Sequence, residues 1–428
     1  MQFDNSLSLL KKAKEIIPSA AQTYSKSYKC FCEGAAPAFI EKGDGGTVTD
    51  VDGNSYIDFI LGLGPVTIGY NDERVNNVIM NYLSKGIVFS QPHPVEIMLA
   101  RKITEIIPCA QMVKFLKNGS DATTAAIRLA RAFTGREMIL CCGYHGYHDW
   151  YIGVRSNNRG VPGAVSALTR SFAYNNIQDL ETLLEQNHRK VAAVIMEPVG
   201  MESPGEGFLE EVRRLCSDHG TLLIFDEVVT GFRVALGGAQ AYYGVTPDLC
   251  TMGKGIANGM PLALVAGRRD VMKMIDEGAF VSTTFGGEIL SIAAALESIR
   301  IMEESEYFEH IWQLGQLWLD GVAGLIEEKK AAGFVKTAGL PPHSGIVFNN
   351  WGPVSSEDFK TLFIQEVISK GVLSLGVNNF CLAHTRSDID EYLIAVSDAL
   401  DTCVEAVDKG SASGLIKGGR FTPVFKRN

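Results

Sequence analysis

No apolar run in this chain approaches the roughly 20 residues that a membrane-spanning helix requires, so the sequence offers no candidate span. Basic residues are outnumbered: 39 Lys and Arg stand against 49 Asp and Glu, a formal charge of −10. That balance removes the electrostatic footprint of a nucleic-acid binder. The nine cysteines include no Cys-x-x-Cys and no Cys/His spacing of the zinc type. They read as reduced, mostly buried thiols, with a redox reading left open for Cys30 and Cys32 and for the adjacent Cys141 and Cys142. Neither a Walker GxxxxGK[ST] nor a strand-turn-helix GxGxxG occurs, so nucleoside triphosphates and nicotinamide dinucleotides are not implied. Repeats and low-complexity segments are missing too. The opening MQFDNSLSLLKKAKEIIP lacks the basic-then-apolar order of a signal peptide and reads as an amphipathic helix closed before Pro18. A cytoplasmic setting is the expectation.

What is present is enough chain for two lobes: 428 residues, 46% of them hydrophobic. GGTVTDVDGNSYIDF reads as a hairpin around the Asp52-Gly53 turn. From Val75 onward amphipathic helices alternate with short apolar runs, the pattern of an α/β fold with a mainly parallel sheet. After Ile301 a long helical stretch gives way to GIVFNN, LFIQEVISKGVLSL and NNFCLAHTRSDIDEYLIAVSDAL, which alternate strand and helix signals. The expected division is an N-terminal segment over 1–60 that joins a small α+β domain, a large domain over 61–300, and the rest of the small domain over 301–428.

The chemistry concentrates between Val191 and Gly259. There Glu197, Asp226 and Lys254 each follow a short apolar run, in VAAVIMEP, LLIFDEVVTGFR and DLCTMGKGIANG. Runs of that length bounded by turn signals read as buried strands, and polar residues at their carboxyl ends fall where open α/β sheets form ligand crevices. An acid and a lysine converging there suit a cofactor whose nitrogen needs a counter-ion and whose aldehyde needs an amine. Pyridoxal phosphate meets both requirements: Asp226 would keep the pyridine nitrogen protonated, and Lys254 would form a Schiff base with the aldehyde. FLKNGSDATTAAIRLARAFTGR places a glycine turn before a long helix, so free N–H groups and the positive end of the helix dipole make Gly119 and Ser120 the candidates for the phosphate. Asp121 has both a capping and a functional reading. In CCGYHGYHDW, His145, His148 and Asp149 raise a metal reading, but a zinc site needs three or four ligands and the others would have to come from elsewhere; no metal is expected.

The stretch LIFDEVVTGFRVALGGAQAYYGVTPDLCTMGKGIANGMP resembles the cofactor-binding core of the class III pyridoxal-phosphate aminotransferases, nearest the glutamate-1-semialdehyde aminomutase branch. The likeness runs from about Gly45 to Asp390 and implies a fold type I PLP-dependent transferase. It also implies that Tyr144 stacks on the pyridine ring, that Val228 packs on the opposite face, and that Glu197 lies near the cofactor. STTFGG resembles the segment that delivers a threonine hydroxyl, here Thr284, to the phosphate of a neighbouring subunit, and so implies a homodimer with shared active sites. Val228 also reads as ordinary core. The implied activity transfers an amino group from an amino-acid donor, glutamate being expected, to a keto or aldehyde acceptor. Aminomutase, racemase and decarboxylase remain alternatives within the fold. Against the aminomutase, its branch-specific arginine, tryptophan and glutamate positions read here as TYSKSYKCF, Leu63 and Gly376. Glu202 stands where that branch has asparagine. Arg386 and Arg233 are candidate partners for a substrate carboxylate, with a surface or loop position as the competing reading.

Overall fold

The computed structural model describes residues 1–424, and these divide into two compact units. One consists of residues 1–63, 68–72 and 309 onward; the other of Gly64–Thr67 and Glu73–Phe308. The boundary expected at residue 300 moves to 308 because the Ile289–Glu304 helix runs through that point with Ile301 and Met302 buried. At the other end, residues 61–63 and 68–72 group with the N-terminal unit. Residues 425–428 of the expected C-terminal segment lie outside the described residues.

The larger unit is built on seven strands. In spatial order they are Met112–Leu116, Ala263–Gly267, Leu249–Met252, Leu222–Glu227, Val191–Met196, Met138–Cys142 and Thr169–Ser171. The last five are mutually parallel, while Ala263–Gly267 runs antiparallel to both its neighbours. Both faces of the sheet are buried, so successive strand residues enter two different cores. Ile139, Cys141, Ile195, Leu222 and Ile224 pack on one face with Ala122, Ala125, Ala126 and Leu129 of the Gly119–Thr134 helix. Leu140, Cys142, Met196, Leu223 and Phe225 pack on the other with Leu209, Val212 and Leu215 of the Phe208–Asp218 helix. Asn118 caps the Gly119–Thr134 helix through its side chain, which accepts from Asp121 N–H at 3.0 Å, and Gly135 closes it in the left-handed region at φ +66°.

The smaller unit contains the expected hairpin. Thr47–Asp50 pairs antiparallel with Ser55–Asp58, and the buried Asp50 carboxylate gathers the turn by accepting from Asp52 N–H, Asn54 N–H, the Asn54 amide and the Tyr56 hydroxyl. Ile40–Asp44 extends this sheet on one side and Val372–Leu373 on the other. A second sheet of Val335–Leu340, His343–Phe348 and Val377–Asn379 is antiparallel throughout. All nine cysteines are buried and none forms a disulfide; burial pushes the Cys32 and Cys142 thiols up to about 12, which makes them poor nucleophiles. Among the described residues no helix is long and apolar enough to cross a membrane.

Candidate active site

The parallel register gathers the chemistry at one sheet end. Met196 pairs with Phe225, and Asp226 with Thr251, so Glu197, Asp226 and Lys254 follow one another at the carboxyl ends of three adjacent strands. Alternation also separates the two acids of the Asp-Glu pair. Asp226 continues the Leu222, Ile224 face towards the Gly119–Thr134 helix. Glu227 turns the other way and, fully buried, accepts from Thr230, Gln240 and the Ala239 N–H at the start of the Gly238–Tyr243 helix. Glu227 is thus a structural carboxylate.

Asp226 is 3% exposed, yet it has three polar partners. Its Oδ1 accepts from Val228 N–H at 3.1 Å and from the Thr251 hydroxyl at 3.2 Å; its Oδ2 faces His145 Nδ1 at 2.7 Å. His145, which with His148 and Asp149 raised a metal reading in the sequence, is buried beneath this carboxylate with its Nε2 3.1 Å from the Cys142 carbonyl. His148 faces elsewhere: its Nδ1 is 2.7 Å from the Thr124 hydroxyl and its Nε2 3.9 Å from Asp121. The two histidines therefore serve different carboxylates.

Lys254 sits in a left-handed backbone conformation at φ +42°, uncommon for a residue with a Cβ. The turn is held by Thr67, whose hydroxyl donates to the Gly255 carbonyl at 2.9 Å and whose N–H donates to Asn258 Oδ1 at 3.0 Å. A Cβ at Gly255 would approach Thr67 to 2.7 Å. The Lys254 side chain keeps some contact with solvent, yet its amine is packed closely enough that desolvation lowers its pKa from the ordinary lysine value. The carboxylates of Glu197 and Asp226 oppose that shift, and the Arg233 guanidinium adds to it. Glu197 is raised by desolvation and then by Asp226, with His145, the Tyr144 N–H and Lys254 pulling the other way. Its Oε2 accepts from Tyr144 N–H at 2.9 Å, and Gly143, at φ +108°, is the residue that leaves room for it. The Tyr144 ring is 49% exposed and meets Tyr151 edge-on. Arg155, unmarked by any motif, lies over the Tyr151 ring and donates to the Gly143 carbonyl at 3.2 Å.

Gly119 and Ser120 open the long helix as expected. A Cβ at Gly119 would stand 3.0 Å from Val228 Cγ1, so the turn and Val228 are in close approach. The Ser120 hydroxyl accepts from Tyr147 N–H at 3.2 Å, and Gly146 leaves the space for it. Thr284 is exposed and lines a cavity of about 510 Å³ with Asp121, Thr124 and His148. Glu202 is exposed and bound by the Asn175 amide at 2.8 Å. Arg386 is an exposed residue in the first turn of the Arg386–Lys409 helix. Arg233 lies in a turn but not on the surface: it is 1% exposed and donates to the Gly64 carbonyl at 2.9 Å; a backbone acceptor, which the sequence could not reveal, makes its burial tolerable.

These residues fit pyridoxal phosphate. The Asp226 carboxylate offers about four acceptor directions, of which three are taken, leaving one for a ring N–H. A desolvated amine, the half-exposed Tyr144 ring and a helix N-terminus complete the set.

Comparison with known proteins agrees. The family model for class-III aminotransferases matches residues 32–391. The 3-aminobutyryl-CoA aminotransferase of Cloacimonas acidaminovorans is 34% identical over 94% of this chain and 97% of its own length. The glutamate-1-semialdehyde 2,1-aminomutase of Roseiflexus castenholzii is 34% identical over 96% of this chain and 100% of its own. Among solved structures, the FumI protein of Sphingopyxis sp. MTA144 in its PLP internal aldimine form superposes with a TM-score of 0.86 at 26% identity, covering 96% of this chain and 99% of that one. An omega-transaminase from Sphaerobacter thermophilus gives 0.83, also at 26%, over 92% and 97% of the two chains.

Proposed function

We propose, from the premise that this chain belongs to the class-III aminotransferases and is a PLP-dependent transaminase of fold type I, that it moves an amino group from an amino-acid donor, with glutamate expected, to a keto or aldehyde acceptor. The observation that carries this reading is the desolvated Lys254 amine beside the Glu197 and Asp226 carboxylates.

Bound pyridoxal phosphate would supply an aldehyde that carries the amino group between substrates and a ring that takes up the electron pair left by a departing α-proton. Lys254 is the proposed anchor for the aldehyde and, once released, the base that removes that proton at its Nζ. Its lowered pKa leaves more of it as free amine at working pH, the form both tasks need. Asp226 is the proposed partner of the ring nitrogen, Tyr144 and Val228 the two faces that hold the ring flat, and Gly119 and Ser120 the phosphate turn. Glu197, fixed by Tyr144 N–H, is proposed to border the ring. Thr284, exposed in the Phe280–Thr284 wall of its cavity, suits a residue used by a second copy, and a homodimer with shared sites is part of the proposal. In a mixed sample of Lys254→Ala and Thr284→Ala chains, shared sites predict recovered activity; none recovered would leave each chain self-contained.

Glutamate-1-semialdehyde aminomutase is the second reading, favoured by the 34% identity to the Roseiflexus protein. It is weakened by Leu63 and Gly376 at two of that branch's distinguishing positions. The test is a spectrum of the purified holoprotein mixed with glutamate and then with keto or aldehyde acceptors. A coenzyme band bleached by the donor and restored by an acceptor supports transamination between two molecules. A band that only glutamate semialdehyde perturbs supports the aminomutase, and racemisation or CO2 release without acceptor turnover would overturn both.

A further inference from the structure

The peptide plane between Gly143 and Tyr144 is held from both ends. At one end the Gly143 carbonyl accepts from the Tyr151 hydroxyl at 2.8 Å and from an Arg155 guanidinium N–H at 3.2 Å, which uses both lone pairs of that oxygen. At the other end the Tyr144 N–H donates to Glu197 Oε2 at 2.9 Å. Such holding is needed here. Gly143 sits at φ +108°, and a Cβ would stand 2.5 Å from Glu197 Oε2, so only glycine fits; yet glycine leaves the adjoining peptide the freest to turn. Rotation of that plane would swing the Tyr144 Cα and carry the ring with it.

Of the two donors on the carbonyl, only Arg155 brings a charge. Tyr151 is fully buried and packs edge-on against Tyr144 and His145, with centroids 5.7 and 5.2 Å apart, so its hydroxyl is delivered by the core. Arg155 is delivered by spacing. It follows Tyr151 by four residues, past the end of the Asp149–Ile152 helix, where the Val154 and Arg155 N–H groups donate to the Tyr151 and Ile152 carbonyls. From there its side chain lies over the Tyr151 ring, with the guanidinium carbon 5.2 Å from the centroid. A charged donor makes a hydrogen bond about twice as strong as a neutral one. Burial and then Asp226 raise the Tyr144 phenol, and the Arg155 charge pulls it back, so the guanidinium is within electrostatic reach of that ring.

We propose that Arg155 is the positioning residue of Tyr144: by locking the Gly143–Tyr144 peptide plane it fixes the aromatic face on which the coenzyme ring stacks, a role that rests on the transaminase reading above. Arg155 touches no reacting atom in this account and acts only through the turn.

The first test is made on the coenzyme-free chain. Arg155→Met keeps the length that covers Tyr151 and removes the donors; hydrogen exchange at the Tyr144 N–H should speed up at least about tenfold, while the amides of the Val191–Met196 strand keep their wild-type rates. An unchanged Tyr144 rate, or an equal acceleration in the strand, would overturn the proposal. Arg155→Lys, which keeps the charge without the planar fork, should fall between the two; it carries the same test if the methionine variant does not fold, a wild-type rate again overturning the proposal. The second test uses pyridoxamine phosphate, which binds without the lysine linkage. Arg155→Met should weaken its dissociation constant about fivefold, the scale of one aromatic stacking contact. In a Tyr144→Ala background the same change should alter it by less than about twofold, and an undiminished loss there would show that Arg155 does not act through Tyr144. If the wild type binds neither coenzyme form, the transaminase reading fails, while the exchange rates still decide whether Arg155 holds the turn.

Discussion

Replacing Asp226 by asparagine separates the fold from the chemistry, because the native contacts dictate how the amide must sit. One corner of the side chain remains an acceptor and keeps Val228 N–H and the Thr251 hydroxyl, at 3.1 and 3.2 Å in the native chain. The other becomes an NH2 donor facing His145 Nδ1, native separation 2.7 Å. The ring meets it as an acceptor at Nδ1, while Nε2–H stays on the Cys142 carbonyl. The contact thus survives as a neutral hydrogen bond in place of a charge-assisted one, a loss of about 1–1.5 kcal/mol. At about 2.1 cal/mol/K per residue, 428 residues correspond to about 0.9 kcal/mol per degree, so Tm should fall by no more than about 2 °C. Catalysis loses a preorganised charge, which scales to a drop of about 10²–10³ in kcat. Thermal circular dichroism and steady-state transamination measure the two effects. A variant within about tenfold of wild-type kcat, or one that fails to fold, would refute the reasoning.

Gly143→Ala places a Cβ at φ +108° and 2.5 Å from Glu197 Oε2; the strained backbone and the displaced acceptor of Tyr144 N–H together should cost about 2–4 kcal/mol, read as a lower urea midpoint with the m-value unchanged. Lys254→Met tests the buried amine in the coenzyme-free chain. Lys254 has a folded pKa below its unfolded value near 10.5, so the folded state binds this proton less tightly than the unfolded state does. Wild-type stability relative to the variant should therefore rise as pH climbs from the lowered folded value towards 10.5; urea unfolding of both chains across that window, with a flat or falling difference, would show that the amine is not desolvated.

The positions of the proposed reacting residues were legible because they follow from local pattern. Short apolar runs make strands, strands in a parallel sheet end together, and so Glu197, Asp226 and Lys254 had to approach one another. Period-two alternation also tells Asp226 from Glu227, whose side chain enters the opposite face. The contacts that tune those residues were not legible. His145 meets Asp226 across 81 positions of sequence through a nitrogen whose direction only the folded turn fixes. Arg233 is buried on a carbonyl 169 residues away, a pairing no composition rule anticipates. The resemblance carried Thr284, whose exposed side chain shares its cavity with Asp121 and His148, a neighbourhood that sequence spacing does not show. The boundary between the units shifted for a similar reason: residue 300 lies inside a helix whose buried face continues to Met302.

The most direct measurement is borohydride reduction of the purified holoprotein followed by peptide mass mapping. The account predicts one phosphopyridoxyl addition, on the peptide that contains Lys254, and its loss in Lys254→Ala. A stable addition on another lysine, with Lys254 unmodified, would contradict it.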